Sequence, residues 1–173
     1  MSLWTADEIA RATGGQVVGD FAVDGVSIDT RSIETGDLFV ALAGVRDGHE
    51  FVAPALAKGA TGALVSQPVE GPHVLVDDTF KALEKLGEFA RTRAPQVRRG
   101  AVTGSVGKTS VTQAVRAGLI LAGRAHSSVK SYNNHIGVPL TLARMPRDTE
   151  RAVFEIGMNH ADEITPLSRF VRP

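Results

Sequence analysis

The sequence predicts an α/β protein: a small mixed α/β domain over residues 1–95, then over 96–173 the opening part of a mostly parallel, doubly wound sheet. Three observations carry that expectation. Beyond residue 98, short apolar runs of β type alternate with stretches at helical spacing. Ala101-Val102 breaks into glycines and then into a lysine followed by two hydroxyls, the pattern of a strand-to-helix turn. Between the halves, Ala94-Pro95-Gln96 and the basic Arg98-Arg99 interrupt the pattern and mark a boundary near 93–98.

Composition sets the limits. With 173 residues, 43% hydrophobic and 22% charged, the chain can bury a core, and an ordered globular protein is expected. Nineteen basic and nineteen acidic residues cancel, so no broad field argues for nucleic acid or an anionic membrane, and any anion must be held locally. The absence of cysteine excludes disulfides, thiolate metal sites and a cysteine nucleophile, and fits a reducing compartment. Asp7, Glu8 and Arg11 break the apolar core that a secretory signal needs, and no run approaches the ~18 apolar residues of a membrane span. A cytoplasmic protein without membrane insertion is expected.

In order along the chain, Thr5-Ala6-Asp7-Glu8 reads as a capping box opening a short helix that Gly14-Gly15 closes. Strands are expected at 16–18 and 25–28, a polar turn at 29–32, and a strand at 38–42 after Gly36-Asp37. A loop over 44–49 leads into a helix with Phe51, Val52, Ala55 and Leu56 on one side and Gly59 as its stop. Strands at 63–66 and 73–76 flank the turn-rich 67–72, and Phe80, Leu83, Leu86 and Ala90 recur at helical spacing. After the glycine turn comes a helical pattern of Val111, Ala114, Val115, Leu119 and Ala122. A weak strand is expected at 127–130, a polar loop at 131–137, a helix opening near Pro139, a strand at 151–156, a loop at 157–160 and a helix over 162–171.

The turn Thr103-Gly104-Ser105-Val106-Gly107-Lys108-Thr109-Ser110 reads as a phosphate-binding loop of the short form G-x-x-G-K-[ST], with Val102 where the longer pattern has glycine. Glycines let the backbone turn, the helix from Lys108 presents free N–H groups to an anion, Lys108 reaches phosphate and Thr109 holds Mg²⁺. The alternative is an ordinary glycine-rich turn. Glu155, near the carboxyl end of its strand, could share that cation or merely face solvent. Asn133, Asn134 and His135, and again Asn159 and His160, offer clustered donors and acceptors, although asparagine-rich loops also arise from turn chemistry alone. His49 and His73 have no visible partner. Arg31 and Arg46, in glycine-bounded loops, could pair with phosphate or simply be solvated.

Several of these segments match something known. Asp29-Thr30-Arg31, residues 36–42 and Asp47-Gly48-His49-Glu50-Phe51 resemble the uridine-nucleotide-binding amino-terminal domain of the Mur ligases, which extend the peptidoglycan peptide. Thr103 to Thr109 resembles their ATP loop, and residues 133–142 with 155–160 are the most specific part of the likeness, which covers nearly the whole chain. The resemblance implies a UDP-sugar-binding domain over 1–95 and the beginning of a P-loop ATPase domain over 96–173. It implies ATP and Mg²⁺ as cofactors, with Gly104, Ser105, Val106, Gly107, Lys108, Thr109 and Ser110 around ATP and Thr109 and Glu155 serving the metal. Lys108 and Glu155 become the catalytic residues, Thr30 and Arg31 line the UDP-sugar pocket, and Asn133, Asn134, Asn159 and His160 border the cleft.

The implied substrates are UDP-MurNAc-tripeptide and D-alanyl-D-alanine, joined through an acyl phosphate by a monomeric enzyme with no nucleic-acid partner. Alternatives are the member that adds the diamino acid at the preceding step, and a non-catalytic UDP-sugar-binding module. Val106, Ser110, Thr35 and Asp162 depart from the family's usual residues, yet none removes a phosphate or metal group. Some 75 residues follow position 98, against the ~100–200 that a domain commonly needs. The 173-residue chain is therefore expected not to complete a catalytic cycle by itself.

Overall fold

The computed structural model describes residues 2–44, 46–128, 132–158 and 163–173. They form two compact units, Met1–Leu86 and Gly87–Pro173. The division falls within the helix Thr79–Thr92, upstream of the proline-marked segment, because Ala94 and Val97 just past that helix belong to the core of the second unit.

The first unit is built on a five-stranded sheet of β2 (Gln16–Val18), β7 (His73–Leu75), β6 (Gly62–Val65), β5 (Asp37–Val40) and β4 (Gly25–Ser27), in that order. β2 runs antiparallel to β7 and the other pairs are parallel. β5 and β6 are buried along their whole length, as expected for central strands covered on both faces. Helix α1 (Ala6–Thr13) has the predicted capping box: Glu8 N–H donates to Thr5 Oγ1 at 3.3 Å and Thr5 N–H to Glu8 Oε2 at 3.1 Å. A 3₁₀ turn (Gly48–Phe51) runs into α2 (Val52–Ala57), whose Val52 and Ala55 pack on Phe39, Ala41, Ala63 and Val65. A short pair, β1 (Trp4–Thr5) with β3 (Ala22–Val23), was not expected; two-residue strands carry no readable alternation.

The second unit has three parallel strands in the order β8 (Arg98–Val102), β10 (Arg151–Glu155), β9 (Ala125–Ser127). α3 (Thr79–Thr92) precedes them, and α4 (Lys108–Leu121), α5 (Gly137–Ala143) and α6 (Ile164–Val171) intervene or follow. Alternation along the central β10 divides its side chains. Ala152, Phe154 and, just past the strand, Ile156 join Val138, Leu142, Met145, Leu167 and Val171 in one core. Val153 and Glu155 alternate with them, and are thereby assigned to the opposite face of the pleat. Phe154 is fully buried, so its truncation to alanine costs about 3–5 kcal/mol.

Three expectations shift here. The β9 ladder ends at Ser127, opposite Val153, instead of beginning there, because β10 sets its register; Val129 and Lys130 lie outside the described residues. α5 starts at Gly137, with Pro139 at its third position, a place in the first turn where a missing N–H costs nothing. On α4 the helical spacing holds, but Val111 and Val115 are exposed, Ile120 and Leu121 also face outward, and Thr112 is the fully buried position.

Candidate functional site

β8 ends at Val102, directly opposite Glu155 at the end of β10, so the glycine turn and the carboxylate emerge side by side at the carboxyl edge of the sheet. The turn needs its glycines. Gly104 has φ 147° and Gly107 has φ 77°, torsions that cost a side-chain-bearing residue roughly 1 kcal/mol or more. Gly107 also begins α4 without a side-chain cap, and the first intrahelical bond is Val111 N–H to Gly107 O at 3.0 Å. The N–H groups of Lys108, Thr109 and Ser110 are thus left to the outside, at the positive end of a 14-residue helix. Lys108 folds back and donates from Nζ to Gly104 O at 2.7 Å. Ser105 and Gly107 are exposed, and Val106 is 89% exposed at the tip of the loop.

Glu155 is the reverse case, 1% exposed. Its Oε1 accepts from Thr109 Oγ1 at 3.1 Å and from Asn133 Nδ2 at 2.7 Å, and its backbone N–H donates to Ser128 Oγ at 3.0 Å. Its second oxygen, Oε2, is buried and has no hydrogen-bond partner among the described residues. A buried polar atom left unmade costs about 1–3 kcal/mol, more when charged, so such an atom calls for a ligand. The donors suit Mg²⁺: a carboxylate oxygen without a partner, and a hydroxyl whose proton is already directed at Oε1 so that its lone pairs are free. Among the described residues no group of three or more His, Cys, Asp or Glu side chains could hold a metal by itself. A cation here therefore needs phosphate and water to complete its shell, which is the habit of Mg²⁺ beside a nucleotide.

The loop over 132–137 brackets this carboxylate. Asn133 O accepts from Gly157 N–H at 2.6 Å while its side chain reaches Glu155. Asn134 turns its side chain onto its own chain, Oδ1 accepting from Ile136 N–H at 3.2 Å and Gly137 N–H at 2.8 Å. Asn159 and His160 lie outside the described residues. His126, on β9, places Nε2 2.7 Å from Thr141 O and packs edge-on against Phe154. Burial pushes its pKa down to about 4, against the opposing hydrogen bond to Thr141, so the ring is neutral and Nε2 carries the proton.

In the first unit, Arg31 and Asp29 form a closed pair: Nε donates to Oδ1 at 3.0 Å and Nη2 to Oδ2 at 2.7 Å, with the arginine side chain 87% exposed. The Thr30 carbonyl accepts from Lys58 Nζ at 3.0 Å. Arg46 pairs with Glu50 and lies over the Phe51 ring at 4.5 Å. His49 has partners the sequence did not disclose. Its Nε2 accepts from Ser66 N–H at 2.9 Å, so the proton sits on Nδ1 and faces Asp47 Oδ1 at 2.6 Å. The His49 backbone N–H, which donates to Asp47 Oδ1 at 3.0 Å, and after it the ring Nδ1–H hold the Asp47 carboxyl below its ordinary pKa. With its Nε2 lone pair committed to a backbone N–H, His49 is not placed to act as a base on Ser66 Oγ, 3.4 Å away. Ser128 was missed, since a serine at a strand end carries no sequence signal of its role.

Parallel strands, a glycine turn running into a lysine-led helix, and a carboxylate on the facing strand end are the architecture of phosphate-loop nucleotide-binding proteins. Family comparison narrows this. Residues 22–110 match the model described as Mur ligase family, catalytic domain, and residues 102–173 match the Mur ligase middle domain. The chain belongs to the Mur ligase family. It is similar to the UDP-N-acetylmuramoyl-tripeptide–D-alanyl-D-alanine ligase of Rickettsia prowazekii, at 36% identity over 99% of this chain and 39% of the relative. It also superposes on a crystal structure of MurF from Acinetobacter baumannii with a TM-score of 0.86 and 34% identity, covering 98% of this chain and 39% of that one. MurF from Thermotoga maritima, solved in complex with ADP, matches at a TM-score of 0.66 and 26% identity over 84% of this chain and 35% of that one. The chain thus spans about two fifths of the length of the relatives it matches. Among the described residues, no helix is long and apolar enough to cross a membrane.

Proposed function

We propose that this chain is the UDP-sugar-binding and phosphate-loop portion of an ATP-dependent ligase that adds D-alanyl-D-alanine to UDP-MurNAc-tripeptide. The observation that carries the proposal is the Glu155 carboxylate, buried beside the phosphate loop, bonded to Thr109 through one oxygen and, among the described residues, without a partner on the other. The names of the relatives, and the ADP complex of one of them, support the choice of substrates and nucleotide.

In this reading a carboxylate oxygen of the tripeptide attacks the γ-phosphorus of ATP and ADP leaves, giving an acyl phosphate. The amine of D-alanyl-D-alanine then attacks the acyl carbon, loses a proton and expels phosphate, leaving an amide. The barrier to the first step is the approach of two anions. Lys108 exchanges its bond to Gly104 O for a phosphate oxygen, and the free N–H groups at the start of α4 cradle the chain of phosphates. Thr109 and Glu155 hold Mg²⁺, which when bound neutralises charge on the phosphate oxygens. Asn134, Asn159 and His160 contribute to substrate binding, and residues 1–95 bind the uridine nucleotide. For Arg31 that role requires an exchange, because the two Asp29 oxygens now occupy the Nε–Nη2 edge of its guanidinium.

Two measurements test this. Titration with ATP and Mg²⁺ is expected to give saturable binding, and a separate titration of residues 1–95 with UDP-MurNAc-tripeptide is expected to shift resonances of Thr30 and Arg31. In a protein of the relatives' length carrying these residues, phosphate release is expected to depend on D-alanyl-D-alanine and not on a diamino acid; the reverse preference overturns the assignment.

A further inference from the structure

We infer that Asn133 is a positioning residue for Glu155, and that it tunes the metal dependence of nucleotide binding without itself touching nucleotide. The inference rests on the Mg²⁺–ATP reading of the loop. The resemblance puts Asn133 at the border of the cleft, but its side-chain amide is turned inward. Of the two ends of an amide only the NH₂ can meet a carboxylate oxygen, and it meets Oε1 at 2.7 Å. That is the same oxygen that receives the Thr109 hydroxyl at 3.1 Å. Two donors on Oε1 fix the rotation of the carboxylate and leave Oε2 as the oxygen without a partner among the described residues. Without Asn133 a single hydroxyl would hold the group, and either oxygen could turn to take it.

The asparagine is held as firmly as the carboxylate it aims. Its carbonyl accepts the Gly157 N–H at 2.6 Å, so main chain and side chain grip β10 and the residues just beyond it on both sides of Ile156. This grip requires glycine at 157, since a Cβ there would stand 2.8 Å from Asn133 Oδ1 and 3.0 Å from its carbonyl oxygen. At the other end of the segment a Cβ on Gly137 would stand 2.5 Å from the Tyr132 carbonyl carbon, so the loop is closed tightly on itself. Partners that orient a metal-binding carboxylate in this way typically contribute ten- to a hundredfold to metal affinity.

The test is titration of the 173-residue protein with a non-hydrolysable ATP analogue, once in EDTA and once with Mn²⁺, comparing the parent with Asn133→Ala. The parent is expected to bind more tightly with Mn²⁺. Asn133→Ala is expected to lose about tenfold of that gain while its affinity in EDTA stays the same. A purely structural role would lower both affinities alike, and that result, or a full Mn²⁺ gain in the variant, overturns the inference. No Mn²⁺ gain in the parent overturns the metal reading itself and the inference with it. Should Asn133→Ala fail to melt cooperatively, Gly157→Ala takes its place, because it keeps every donor and only crowds Asn133; the same selective loss is expected, and equal loss in both conditions counts against the role.

Discussion

At the ends of β5 and β6, Asp47, His49 and Ser66 close on one another. Nδ1 of the histidine serves Asp47, Nε2 takes the Ser66 N–H, and Gln67 adds a bond to the remaining Asp47 oxygen at 3.3 Å. At the end of β10 the polar groups are left open: one oxygen of a buried glutamate and the first N–H groups of α4 are unmet among the described residues. Both clusters sit where an open α/β sheet collects loops, and both contain residues that suit chemistry. What separates them is completion. A cluster whose donors and acceptors satisfy each other stabilises a loop, whereas one that leaves a buried oxygen bare has reserved it for something else.

The largest expected effect that would sharpen this comparison is at Lys108. Its ammonium is held by a single carbonyl, so Lys108→Ala is expected to weaken ATP binding about a hundredfold, ~2.7 kcal/mol, with the melting temperature unchanged. Titration at fixed Mg²⁺ checks it, and unchanged affinity breaks the loop assignment. His49→Ala is expected to do the opposite. By stranding the Ser66 N–H it destabilises the protein by about 2 kcal/mol in chemical denaturation, and leaves ATP affinity alone.

That contrast was only partly legible in the sequence. The capping box at Thr5, the glycine turn and a carboxylate at the end of the 151–156 strand follow from local rules, because each depends on residues a few positions apart. The bond that Asn133 donates to Glu155 and the one that Glu155 N–H donates to Ser128 Oγ span 22 and 27 positions, and nothing in an asparagine or a serine announces such a partner. The same holds for His49, joined to Ser66 across 17 positions. Periodicity on α4 gave a helix but not its inward face, since Thr112, and not the valines, is buried.

His126 supplies a third, smaller test. Its folded-state pKa near 4 lies below the ordinary 6.5, so the unfolded chain binds the extra proton first as pH falls. Stability is therefore expected to be full above about pH 6.5 and to decline towards pH 4, by about 1–2 kcal/mol at pH 5. His126→Gln is expected to flatten that slope in denaturation measured across the window, while an unchanged slope assigns the acid sensitivity elsewhere. Smallest is Val106→Asn. An exposed valine at the tip of the loop makes no bond, and an amide there is expected to tighten ATP about threefold, measured by the same titration.

In the proposed function, the bare oxygen of Glu155 is reserved for a metal bound together with nucleotide. Calorimetric titration of the parent and of Glu155→Gln with ATP, each with and without Mg²⁺, addresses it most directly. The amide keeps the shape and can still accept from Thr109, but it removes the charge that a cation needs. Mg²⁺ is expected to tighten ATP binding in the parent and to do so at least tenfold less in the variant, with equal affinities in EDTA. An equal gain from Mg²⁺ in both proteins would contradict it.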